Sequence, residues 1–148
     1  CLIAKACAMT AKTYDEIRKL VADNNQADDI RDRLFICLIW KESGFNPDVK
    51  NSGSSATGLM QLTKGAVAEV NRVRKTSYSH DDMTDPDLNI KVGTTYIDIL
   101  KKRNGGKLAA ALDKFGTGSG YSKSIIACSL CLKGDDSHPM VCLHKIHE

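Results

Sequence analysis

Seven consecutive apolar residues, Leu34-Phe35-Ile36-Cys37-Leu38-Ile39-Trp40, constrain this chain more than any other feature. They continue a stripe begun at Ile30, and at helical pitch they cover every side of a helix. A helix that is apolar all round must be surrounded by other parts of the chain. A membrane span needs about 20 such residues, so this segment is the centre of a core and not a crossing. Lys41, Glu42 and Ser43 follow at once and are carried to the edge of that core. Gly44, Asn46 and Pro47 then stop the helix, and Asp48 to Thr57 has the Ser, Gly and Asn content of a loop.

The remaining segments supply the surroundings. Thr13 followed by Glu16 is a capping-box pattern, and Ile17, Leu20 and Val21 form one apolar face behind it. Another helix is predicted after Gly58, with Leu62, Ala66, Val67, Val70 and Val73 at helical spacing. Asp85-Pro86 supplies an N-cap and a first-turn proline. Leu88, Val92, Tyr96, Ile99 and Leu100 mark the buried face of the helix it starts, which Asn104-Gly105-Gly106 ends. Leu108 to Phe115 reads as a short helix and Tyr121 to Leu132 as one more. The last sixteen residues carry no assignable pattern. Strand-like alternation is scarce, so the class is mainly α.

At 148 residues the chain has the length of one ordinary domain and is too short for two well-buried cores. Hydrophobic residues at 42% and charged residues at 26% exclude a disordered or fibrous chain. The balance of 21 basic and 18 acidic residues gives +3, and the pI is near 8.5. That is compatible with a polyanionic target but lacks the dense basic stripe of a nucleic-acid binder.

Glu42 is the candidate that chemistry singles out. It follows the apolar run, beside Trp40 and near Phe45. Lost hydration there disfavours the carboxylate and raises its pKa, and a carboxyl still protonated near neutral pH can act as a general acid. Position alone also allows a surface glutamate paired with Lys41 or another cation.

The wider pattern decides between these. Glu42-Ser43-Gly44-Phe45-Asn46-Pro47, then Ala56-Thr57-Gly58-Leu59-Met60-Gln61-Leu62-Thr63, resembles the soluble lytic transglycosylase and goose-type lysozyme family. A third block, Asp87-Leu88-Asn89-Ile90 with Gly93-Thr94-Thr95-Tyr96-Ile97, is similar to that family's N-I-x-x-G-x-x-Y-L helix. The resemblance covers about half the chain and implies a lysozyme-like single domain over residues 1–148. Its helices would surround a substrate groove, with little or no β-sheet and a Cys-rich C-terminal tail. It implies cleavage of the β-1,4 bond between N-acetylmuramic acid and N-acetylglucosamine in peptidoglycan, with Glu42 as the acid. The substrate's own N-acetyl group would assist, giving a 1,6-anhydro or a hydrolysed product, and no cofactor or metal is implied. Asp48 and Asp113 are the alternatives for a second carboxylate.

Ser43, Met60, Gln61, Phe115 and Tyr121 are the expected substrate-binding residues. Gln61 offers amide donors and acceptors for an amino sugar, whereas Met60 and Phe115 can equally fill the core, and Ser43 can simply cap the helix end. Tyr96 reads as a packed core aromatic. Two departures stand out. Glu42 and Gln61 are nineteen positions apart, one more than the family spacing, and the family's A-Y-N-A-G block falls on Lys114-Phe115-Gly116-Thr117-Gly118. The tyrosine and asparagine of that block are missing, and Tyr121 is a nearby replacement for the hydroxyl. The altered block leaves a catalytically impaired peptidoglycan-binding module as the alternative to an enzyme.

Six cysteines (Cys1, Cys7, Cys37, Cys128, Cys131 and Cys142) suggest disulfides and an oxidising compartment, here secreted or periplasmic. Cys128-x-x-Cys131 with Cys142 and His144 also has ligand types that zinc accepts, and Cys37 can be a plain core thiol. His80, His138 and His147 are expected to face solvent. A chain starting at Cys1 reads as processed, with a lipid-carrying Cys1 as a second possibility. The expected partners are peptidoglycan glycan strands and an immunity or inhibitor protein that blocks the groove of an antibacterial toxin. A monomer without a transmembrane segment, and no nucleic acid, complete the expectation.

Overall fold

The computed structural model describes residues 11–116 and 120–147. Seven α-helices are present among them: α1 (Tyr14–Asn24), α2 (Asp32–Ser43), α3 (Lys64–Arg74), α4 (Pro86–Arg103), α5 (Leu108–Phe115), α6 (Tyr121–Gly134) and α7 (Pro139–His144). Short 3-10 turns occupy His80–Asp82 and Lys145–His147. Extended pairing among the described residues is confined to two isolated bridges, Lys50 with Thr57 and Thr57 with Leu62. The mainly α expectation holds.

Local signals set most boundaries. Thr13 caps α1 with the full reciprocal capping box, and Asp85 caps α4 with Pro86 at its first position. Gly44 ends α2 in the left-handed conformation, where a missing β-carbon removes the steric cost. Between these ends, Leu34, Phe35, Ile36, Cys37, Leu38 and Ile39 are all buried. Each large aliphatic side chain so buried contributes about 1.5–3 kcal/mol. α2 packs on α1 and α6, while α4 packs on α1, α3 and α5. α4 is buried on more than one face, Asn89, Ile90, Thr94 and Asp98 included. The buried Asp98 carboxylate is neutralised by Arg74 at 3.0 Å and Lys102 at 2.8 Å.

Two expectations are corrected, and the unassigned tail proves to be helical. The helix predicted after Gly58 begins only at Lys64, capped by Thr63; Leu62 belongs to the preceding turn. The tail forms a seventh helix, too short to show periodicity, with Cys142 and Leu143 buried and Ile146 just beyond it. His80 is half-buried, with Nε2 placed 3.0 Å from the Leu62 carbonyl.

Cys37 is bonded to Cys128, and Cys131 to Cys142. All three cysteines of the zinc alternative, and the supposed core thiol Cys37, are thus spent in bridges. Cys1 and Cys7 lie outside the described residues, as do Thr117 and Gly118.

Candidate active site

Glu42 sits in the last turn of α2, where the all-round apolar segment meets the surface. Burial pushes its carboxyl above the ordinary value of 4.5, against smaller lowering effects from the Tyr121 hydrogen bond and the Lys41 charge. The negative end of the α2 dipole acts in the same direction as burial. The Tyr121 hydroxyl donates a hydrogen bond to Glu42 Oε2. Tyr121 is itself only 6% exposed, and burial together with the neighbouring carboxylate pushes its phenol pKa well upward. It is therefore a committed donor. Lys41 Nζ lies 5.6 Å from the centre of the Tyr121 ring, within cation–π range.

The chain leaves α2 through an unusual turn. Gly44 (φ +58°) and Phe45 (φ +69°) are consecutive left-handed residues. That conformation is costly for a bulky side chain and persists only where packing holds it. Phe45 is buried and packs edge-on against Trp40, ring centres 4.9 Å apart. The Ser43 hydroxyl donates to the Ile39 carbonyl at 3.0 Å, so it serves the helix end.

The second block forms a turn held by the third. Asn89, fully buried on α4, accepts from the Met60 backbone N–H at 2.8 Å through Oδ1. Its Nδ2 donates to the Thr57 and Met83 carbonyls at 3.0 and 2.8 Å. Gly58, at φ +81°, lies so close that a β-carbon would collide with Met83 O and Asn89 Nδ2. Met60 is fully buried, its sulfur against the bare backbone of Gly93. This corrects the expectation that Met60 lines the groove: a side chain with no exposed surface cannot touch a sugar here. Gln61, at φ +51°, donates from Nε2 to the carbonyls of Val49 (3.0 Å) and Gly58 (2.9 Å). Its amide nitrogen braces the loop, which leaves Oε1 as the group that can meet a ligand.

The altered fourth block also has a packing logic. The Tyr121 ring lies directly on Gly116, where any β-carbon would run into the ring. The half-buried Phe115 stands between Tyr96 and Tyr121, with ring centres 6.1 and 6.3 Å away. Asp113 accepts the Ser122 backbone N–H at 3.1 Å and so caps the start of α6, while Asp48 lies exposed in a loop. An open depression of about 500 Å³ lies beside Thr57, with Lys50, Asn51, Lys64 and His80 on its walls, and Glu42 and Gln61 do not line it. A separate depression of about 940 Å³ lies among Tyr14, Arg18, Arg33 and Asp136 and includes neither Glu42 nor Tyr121.

Residues 19–127 match the family described as the transglycosylase SLT domain. The chain belongs to that family. This SLT domain is 35% identical over 102 residues to membrane-bound lytic murein transglycosylase E of Buchnera aphidicola subsp. Acyrthosiphon pisum (strain APS), covering 67% of this chain and 44% of the relative. It is 40% identical over 72 residues to endo-type membrane-bound lytic murein transglycosylase A of Enterobacter sp. (strain 638), covering 47% and 35% respectively. The chain thus spans less than half the length of these curated relatives. Among solved structures, the 70 kDa soluble lytic transglycosylase of Escherichia coli superposes with a TM-score of 0.61 at 20% identity, over 86% of this chain and 22% of that one. An inactive mutant of the lytic transglycosylase Slt of Pseudomonas aeruginosa gives 0.58 at 24% identity, over 74% and 17%. The fold of this SLT domain is therefore lysozyme-like. Sequence reasoning singled out Glu42 as a candidate but did not read Asn89, Gly93 and Gly116 as supports of its surroundings. Asn89 was already visible as a polar residue on a helix otherwise apolar at that face.

Proposed function

We propose that the chain is a lytic transglycosylase acting on the β-1,4 N-acetylmuramyl–N-acetylglucosamine bond of peptidoglycan as one catalytic unit, with Glu42 as general acid. The observation that carries this reading is the half-buried Glu42 carboxyl, raised by desolvation and hydrogen-bonded by Tyr121. Family membership and relatives named as lytic murein transglycosylases support the substrate class.

Burial raises the Glu42 carboxyl above its ordinary value and so favours the protonated form that the first step needs. Tyr121 occupies Oε2, so Oε1 is the oxygen placed to protonate the leaving glycosidic oxygen. As the C1–oxygen bond breaks, the acetamido oxygen of the same sugar closes on C1 and stabilises the developing cation. The carboxylate left on Glu42 is steadied by the Tyr121 hydroxyl and by Lys41. It then accepts the proton of the sugar's own 6-hydroxyl as that oxygen attacks C1, which yields the 1,6-anhydro end. No second protein carboxylate is needed, in keeping with Asp113 being engaged as a helix cap.

A half-buried, desolvated acid with a dedicated donor favours turnover over mere glycan binding, because binding requires neither. The two bridges suit work at the cell wall outside the reducing cytosol. The test is mass spectrometry of purified peptidoglycan after exposure to the wild type and to Glu42→Gln. Anhydro-ended muropeptides from the wild type alone are expected. Reducing muramic acid ends would replace this reading with a hydrolase, and binding without products from either protein would establish the binding module.

A further inference from the structure

Two helices meet at the candidate acid, and one covalent bond joins the same two helices. α2 delivers Glu42 from its last turn, and α6 delivers Tyr121 as its first residue. Cys37 of α2 is bonded to Cys128 of α6, with 6.0 Å between their α-carbons and both side chains buried. Cys37 precedes Glu42 by five residues and Cys128 follows Tyr121 by seven, so the bridge stands about 7–11 Å from the acid pair along each helix.

We infer that the Cys37–Cys128 bridge positions the acid: by fixing the axial register of α6 against α2, it keeps the Tyr121 hydroxyl on Glu42. This rests on the reading of Glu42 as the acid. The first residue of a helix is the part its own hydrogen bonds hold least. Gly120, the residue before Tyr121, offers no side-chain cap. A slip of one residue along a helix moves a side chain by about 1.5 Å, enough to break a hydrogen bond. Gly116 and the Asp113 cap locate the Tyr121 ring and the helix start from the α5 side. Among the described residues, only this bridge joins α6 by a covalent side-chain bond to the helix that carries Glu42. The second bridge, Cys131–Cys142, joins α6 to α7 and serves as the internal control. Cys37 and Cys128 are thus positioning residues that act through Tyr121.

The test compares Cys37→Ala/Cys128→Ala with Cys131→Ala/Cys142→Ala and the wild type, in the cold and with sucrose present to favour the folded state. Two readouts are taken: kcat and KM on peptidoglycan, and the titration of the Glu42 carboxyl carbon by NMR, assigned with Glu42→Gln. Removing the first bridge is expected to lower kcat about ten- to hundredfold with little change in KM. It should also move the Glu42 titration further above 4.5, because the Tyr121 hydrogen bond is the larger of the two effects that hold it down against burial. Removing the second bridge should change neither. A folded first variant whose Glu42 titrates as in the wild type, or closer to 4.5, overturns the inference. If none of the proteins cleaves peptidoglycan, the proposed function fails, yet the titration still decides the positioning role. Should the double alanine variant unfold, Cys37→Val/Cys128→Ala, which restores buried volume, carries the same titration. Loss of helical circular dichroism in both also overturns the inference, since the bridge would then hold the whole fold.

Discussion

Replacing Tyr121 by phenylalanine removes one hydroxyl and leaves the ring on Gly116, beside Phe115 and under Lys41. The lost group favours the charged form of Glu42, in opposition to burial. A hydrogen bond to a charged acceptor contributes about 1.5–3 kcal/mol, against about 0.5–1.5 kcal/mol for a neutral one. The protonated carboxyl retains the weaker version, so the differential effect is about 1–1.5 kcal/mol. At 1.36 kcal/mol per pKa unit, Tyr121→Phe should raise the Glu42 pKa by about one unit. Because the acid must hold its proton to work, the alkaline limb of kcat should move to higher pH by the same amount. Absolute kcat should fall, since the carboxylate formed at proton transfer loses its donor. The assay is release of muropeptides across a pH series, with the Glu42 carboxyl titration run in parallel. An alkaline limb that stays in place or moves to lower pH would refute the assignment of Tyr121 as the donor that opposes burial.

Glu42→Gln should stabilise the protein only at higher pH. The folded state raises the carboxyl pKa and binds its proton more tightly than the unfolded chain does. The wild type therefore loses stability as pH rises from the ordinary 4.5 through the folded value, and the neutral amide escapes that loss. Urea unfolding below pH 4.5 and again at about pH 8 checks this, with a gain for the variant expected only at the higher pH. Gly93→Ala should cost about 1–3 kcal/mol, because a β-carbon there collides with the Met60 sulfur in a closed core. Combining it with Met60→Val should recover part of that loss, and strictly additive losses would mean the two residues are not in contact.

Short-range chemistry made much of this protein legible before any tertiary contact was known. The Thr13 capping box, the Asp85-Pro86 start and the Gly44 stop each depend on atoms within a few residues, and all three stand where the sequence places them. The Leu34–Trp40 run demanded burial on every side, and that demand alone carried Glu42 to the edge of the core. Tertiary structure decided how the pieces meet. Tyr121 reaches Glu42 across 79 positions, and Cys37 reaches Cys128 across 91. Asn89, on another helix, bonds the Met60 N–H and the Thr57 carbonyl of this turn, while Leu62 pairs with Thr57 and so stays out of α3. No local propensity encodes such pairings, because they arise from the relative placement of helices that each form for their own reasons. The sequence alone determined where Glu42 stands, and helix packing decided which hydroxyl, which bridge and which turn surround it.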